Sequence, residues 1–200
     1  MIEAKNLTMC YGQTRAVDDV SFKINENEIV GFLGPNGAGK TTLMRMLTTF
    51  IHPTRGTAFI GGVDVTRDPL AVRRQLGYLP ETPPLYTDMR LDDFMHFVGR
   101  ARGLGGKQLK ERLDWVVNAC SLAPVWKHTV YELSLGYRQR AGLAQALLHD
   151  PKVVILDEPT SGLDPIQIVG IRKLIQELAK TKTILFSTHI LQEASAISHR

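Results

Sequence analysis

Apolar and polar positions along the chain predict a definite order of elements. The opening is β-rich, with strands at about 2–9 and 16–24, where Val17, Val20, Phe22 and Ile24 supply the apolar positions. The continuous run Ile29-Val30-Gly31-Phe32-Leu33 predicts a buried strand, and Thr42-Leu43-Met44-Arg45-Met46-Leu47 reads as a helix behind it. Segments 56–60 and 63–65 flank Gly61-Gly62, a pair suited to a tight hairpin. Gly77-Tyr78-Leu79 is a short strand ended by Pro80. From 91 to about 148 the pattern turns helical. Within 107–120, Leu109, Leu113, Val116, Val117 and Cys120 share one face, with Lys110, Glu111, Arg112 and Asp114 elsewhere. Strand signals resume at 152–157 and 183–187 around a helical stretch at 166–179, and 190–198 reads as a final helix. The order predicts an α/β fold with a mostly parallel, helix-flanked sheet, an N-terminal antiparallel β region and an inserted helical subdomain. No internal repeat or low-complexity tract interrupts it.

Composition narrows the picture only a little. Two hundred residues suit one α/β domain and bury a real core, and 44% apolar with 22% charged residues describes an ordinary globular chain. The net charge of +4 is mild and no basic block stands out, so a nucleic-acid or acidic-membrane partner is permitted but not demanded. Cys10 and Cys120 lie far apart and form no Cys-x-x-Cys pair, which reads as two reduced thiols. No run approaches the roughly 18 apolar residues of a membrane span, and no signal-peptide pattern opens the chain, so action at a membrane would run through a partner. Asp64, Asp92 and Asp93 read as solvent-facing charges without a role.

The chemistry concentrates in a few segments. Gly34-Pro35-Asn36-Gly37-Ala38-Gly39-Lys40-Thr41 matches G-x-x-x-x-G-K-[ST] in full, after a strand and before a helix, which makes the chain a P-loop NTPase in expectation. Its glycines let the backbone curl close, so that successive N–H groups and a helix N-terminus, Thr42 included, face phosphates. Lys40 brings a point charge to the β and γ oxygens, and Thr41 places a hydroxyl on Mg²⁺. Val153-Val154-Ile155-Leu156-Asp157-Glu158 is an apolar strand ending in two carboxylates. Asp157 is the expected anchor for Mg²⁺, which keeps several waters. Glu158 is the expected general base, orienting a water toward the γ-phosphate. Adjacent carboxylates at a strand end are elsewhere often just solvated, but Pro159-Thr160-Ser161-Gly162-Leu163-Asp164 follows here.

Between these motifs stands Leu133-Ser134-Leu135-Gly136-Tyr137, and with it the chain resembles, along almost its full length, the nucleotide-binding subunit of ATP-binding cassette (ABC) transporters. That family carries Leu-Ser-Gly-Gly-Gln at this place. Ser161-Gly162-Leu163-Asp164 is similar to its D-loop and Ser187-Thr188-His189 to its switch-histidine segment. The resemblance implies one domain over 1–200, with a core at about 1–81 and 146–200 and a helical signature subdomain at about 82–145. It implies ATP and Mg²⁺ as cofactors, with Tyr11 stacking on adenine, Glu81 joining Thr41 and Asp157 at the metal, and His189 sensing the γ-phosphate. It further implies a head-to-tail dimer, homomeric or heteromeric, in which Ser134 and Gly136 cap the partner's ATP. Transmembrane permease subunits are the other implied partner, with a coupling surface near Pro83-Pro84. No nucleic acid is expected, and the place implied is cytoplasmic, on the inner face of the cell membrane. Relatives generally continue beyond the position of Arg200.

Three positions depart from the pattern: Leu135 for glycine, Tyr137 for glutamine and Glu81 for glutamine. If position 135 requires φ > 0 or a close approach to phosphate, leucine would harm it. Pro80-Glu81 and Gly136-Tyr137-Arg138-Gln139-Arg140 are similar to a branch that includes gliding-motility and drug- or polysaccharide-exporter ATPases, which points to export. Three readings stay open: an ATPase engine of transport, a soluble ABC-type clamp acting on ribosomes or DNA, and a degenerate module that holds ATP without turnover. Tyr11 read alone is also compatible with an ordinary half-buried aromatic, and His189 with a structural histidine.

Overall fold

The computed structural model describes residues 1–198, and positions 199–200 of the expected domain lie outside the described residues. The first sheet is antiparallel. It is built from β1 (Ile2–Tyr11), β2 (Thr14–Ile24), β4 (Arg55–Ile60) and β5 (Val63–Asp64) in the order β2-β1-β4-β5. Ile60 pairs with Val63 across a two-residue Gly61-Gly62 turn, the hairpin expected from that pair. The second sheet holds β3 (Ile29–Leu33), β6 (Leu76–Leu79), β7 (Val153–Leu156) and β8 (Thr183–Thr188) in the order β3-β8-β7-β6, every pairing parallel. β7 and β8 are central and buried throughout, which is why they read as continuous runs.

The two faces of the parallel sheet carry different cores, separated by the two-residue period of a strand. Val153, Ile155 and Leu185 join Ile2, Ile24 and Ile60 of the antiparallel sheet and Met44 and Leu47 of α1 (Lys40–Leu47). Val154, Leu156, Ile184 and Phe186 face the opposite way. They meet α3 (Leu91–Ala101), α4 (Gly106–Ala119), α5 (Leu135–Leu147) and α6 (Pro165–Ala179). α2 (Pro69–Gln75) leads into β6, and α7 (Leu191–Ile197) follows β8. The periodicity of 107–120 appears as expected: Leu109, Leu113, Val116 and Cys120 are buried, while Val117 is only half-buried at the margin.

One surface reading is corrected. Asp92 is 5% exposed, held by Lys127 Nζ at 2.6 Å and by Arg90 at 3.1 Å. Burial opposes its ionisation, but the two cations outweigh burial and keep the carboxyl below the ordinary range. Lys127 lies 35 positions away, beyond any local pattern. Asp64 is likewise engaged, accepting from the Thr57 and Thr66 hydroxyls.

Candidate functional site

Three parallel strands end side by side, and each end delivers part of the site. After β3 comes the glycine loop, after β7 Asp157-Glu158, and after β8 His189. Gly34 N–H donates to Thr188 O at 3.3 Å and so ties the first of these to the third. Gly39 caps α1 in the left-handed region, φ 88. A β-carbon there would run into Ala16 O of β2, whereas Gly37, φ 81, faces open space. Ala38 N–H donates back to Pro35 O at 3.3 Å across Asn36 and Gly37. The first turn of α1 then presents the N–H groups of Lys40, Thr41 and Thr42, which have no partner within their helix.

Lys40 Nζ donates to Gly34 O at 2.6 Å and Pro35 O at 3.1 Å, and pairs with Glu158 Oε1 at 3.4 Å. That last pairing lacks hydrogen-bond geometry and leaves Oε1 otherwise unpartnered. Glu158 Oε2 lies 2.9 Å from His189 Nδ1. Glu158 itself is held with φ 48, a left-handed backbone uncommon for a residue other than glycine. Asp157 is fully buried. Its N–H donates to Leu79 O at 2.8 Å, and Ser187 Oγ donates to Oδ1 at 2.6 Å, while Oδ2 has no partner. A buried carboxylate oxygen held in place yet unpaired is what a hard divalent cation takes as a ligand, so this end of β7 fits Mg²⁺.

The remaining expected residues sit around this group. Tyr11 ends β1, half-exposed and paired with Thr14, two residues before the Ala16 that touches Gly39. Glu81 follows β6 with its side chain exposed, and its carbonyl accepts from Gln139 Nε2 at 2.9 Å. Ser134 caps α5, accepting from Tyr137 N–H at 3.4 Å. Gly136, two residues on, packs against Gln167 in the first turn of α6. Leu135 occupies the first helical position of α5 and is not among the left-handed residues, so the feared conflict with a glycine-only backbone does not arise. Tyr137 is half-buried against the helical core.

Two residues were given no role of their own from the sequence. Ser187 Oγ accepts the Glu158 N–H at 2.9 Å while donating to Asp157, so one hydroxyl fixes both carboxylate residues. Glu193 Oε2 accepts from Thr160 at 2.7 Å and Thr188 at 2.9 Å, which clamps the turn after β7 to the end of β8. The available signal was polarity in the wrong place: Ser187 and Thr188 close a strand that is otherwise apolar after Thr183 and buried along its whole length.

This strand–loop–helix cradle facing paired carboxylates at the carboxyl ends of a parallel sheet defines a P-loop nucleotide-binding protein. The model for the ABC transporter family matches residues 17–161, and one for an AAA domain (putative AbiEii toxin, Type IV TA system) matches 128–195. The chain therefore belongs to the ABC transporter family. It is 41% identical over 197 residues to the ABC transporter ATP-binding protein YxlF of Bacillus subtilis, covering 98% of this chain and 65% of that protein. It is 40% identical over 195 residues to the bacitracin transport ATP-binding protein BcrA of Bacillus licheniformis, covering 96% and 63%. The dimeric post-hydrolysis structure of the ATP-binding cassette MJ0796 bound to ADP and Pi superposes with a TM-score of 0.90 at 25% identity, covering 98% of this chain and 91% of that one. The chain thus spans somewhat less than two thirds of the length of these two curated relatives.

Proposed function

We propose that the chain is the ATP-binding, ATP-hydrolysing part of a membrane exporter, driven by ATP-dependent head-to-tail pairing of two cassettes. The observation that carries this is the convergence of Lys40, Asp157, Glu158 and His189 at adjacent strand ends, with Ser187 Oγ holding the Asp157 carboxylate and the Glu158 N–H. Gly34 to Thr42 would wrap the phosphates, Lys40 leaving its present partners for the β and γ oxygens. Thr41, Asp157 and Glu81 would hold Mg²⁺, which supplies charge neutralisation at the phosphates. Glu158 would take the proton of the attacking water, with His189 at Oε2 orienting the carboxylate and touching the γ-phosphate. Tyr11 would stack on adenine, and Ser134 and Gly136 would cap the partner's ATP from the N-terminus of α5.

Separate transmembrane subunits would carry the substrate, with the cassette on the cytoplasmic face; among the described residues no helix is long and apolar enough to cross a membrane. A groove of about 640 Å³ lined by Arg45, Phe50, Arg73, Tyr78, Pro84 and Arg102 is the face offered to them. Transport is supported by likeness to the bacitracin transport ATP-binding protein, and export by the likeness of Pro80-Glu81 and Gly136-Tyr137-Arg138-Gln139-Arg140 to the exporter branch. The test is Glu158→Gln. Hydrolysis should fall by about 10²–10⁴ while ATP still binds, and light scattering should show a dimer only with Mg-ATP. Unchanged turnover would remove Glu158 from its role, and a chain that never hydrolyses ATP would leave the degenerate module standing.

A further inference from the structure

The turn that follows Glu158 has a neighbour unused by the chemistry above. Ser161 N–H donates to Glu158 O at 3.1 Å and Leu163 N–H to Thr160 O at 3.2 Å, so two overlapping turns carry the chain from Glu158 toward α6. Glu158 and Gly162 are both left-handed, φ 48 and 71. Over Gly162 lies the side chain of Leu135: a β-carbon built on that glycine would sit 2.6 Å from Leu135 Cδ2 and 3.7 Å from its Cγ. Leu135 thus occupies the space of a side chain that Gly162 lacks. The seam continues along the two helices, with Gly136 against Gln167 and the Arg140 guanidinium 3.6 Å from a β-carbon built on Gly170. Leu135 remains 54% exposed, so burial in the core does not account for it.

We propose that Leu135 is a positioning residue that couples the two nucleotide sites of a cassette pair, by seating the signature turn on the Gly162 turn of its own chain. The inference rests on the head-to-tail reading. In that arrangement Ser134 and Gly136 report on the partner's ATP, while the turn beneath Leu135 begins at Glu158, which acts on this chain's own ATP. A contact between the two turns makes a displacement of either felt by the other, and such coupling is reciprocal. Glycine at 135 has no atoms with which to make this contact. The departure from the family pattern is then a working part of the site.

Two measurements on the full chain test this with Leu135→Ala, which keeps a good helix former, and Leu135→Met, which restores reach. The first is amide hydrogen exchange of Ser161 and Leu163 in the monomer without nucleotide. Exchange should quicken about five- to tenfold in Leu135→Ala and stay near wild type in Leu135→Met. The second is ATP hydrolysis against ATP concentration, with pairing followed by light scattering. The Hill coefficient, above 1 and bounded by about 2 for two sites, should fall below its wild-type value in Leu135→Ala and be rescued by Leu135→Met. Unchanged exchange overturns the seat of Leu135 on Gly162. Faster exchange with an unaltered Hill coefficient, or a wild-type coefficient already at one, overturns the coupling. A wild type that never pairs defeats the head-to-tail reading and the coupling with it, while the exchange result still decides the contact.

Discussion

Alanine at Gly39 should destabilise the protein far more than alanine at Gly37, although the two glycines share one loop and nearly one conformation, φ 88 and 81. A left-handed backbone costs a residue with a β-carbon about 1–2 kcal/mol. Loss of unfolded-state freedom on replacing glycine returns roughly 0.4–1 kcal/mol. About 1 kcal/mol therefore remains for Gly37→Ala, whose new methyl meets nothing within 4 Å. At Gly39 the methyl overlaps Ala16 O and lies 3.3 Å from Val17 Cγ2. The first of these is backbone in β2, so strand or loop must move, adding about 1–3 kcal/mol as overpacking does. The expected costs are thus about 1 kcal/mol for Gly37→Ala and about 2–4 kcal/mol for Gly39→Ala. Urea unfolding of both variants, compared at a common slope, measures the difference directly. Equal costs, or a greater cost at Gly37, would show that contact with β2 does not govern the loop.

Two further predictions concern buried polar groups. Ser187→Ala strands the Glu158 N–H and one Asp157 oxygen in a fully buried place, so stability should drop by about 2–4 kcal/mol. A thermal unfolding shift equivalent to under about 0.5 kcal/mol, the range of an inert surface change, would contradict the bridging role. His149 is pushed down to about 4, by burial first and then by the nearby Arg102, with a smaller opposing bond to Leu76 O. Its neutral form is favoured in the folded chain, so that stability is complete above the unfolded value of about 6.5 and is lost as pH falls toward 4. Between pH 7 and 4.5 the wild type should lose about 2 kcal/mol more than His149→Gln, a figure reduced for partial access to water. Parallel urea midpoints for the two proteins across that range would refute this.

Much of the site was legible because its chemistry is local. Gly34 to Thr41 must be contiguous to curl around phosphates, and Asp157-Glu158 must directly follow an apolar strand to stand at its end. Leu135 and Asp92 were misread for the opposite reason. Leucine at 135 looked like an obstacle to a special backbone, yet it adopts ordinary helix and spends its side chain on Gly162. Asp92 looked like one of three solvent charges, and one of its two cationic partners, Lys127, comes from 35 residues away.

Periodicity and motif chemistry act between residues a few positions apart, so the order of elements, the phosphate loop and the candidate pair Asp157-Glu158 could be read along the chain. Packing alone set which glycine of the loop cannot bear a methyl, which hydroxyl holds the Asp157 carboxylate and the Glu158 N–H, and where Leu135 rests. Each of those depends on a single atom brought in from a distant strand or turn. Contacts of that kind are set by how the sheets and helices pack, and no local pattern encodes them.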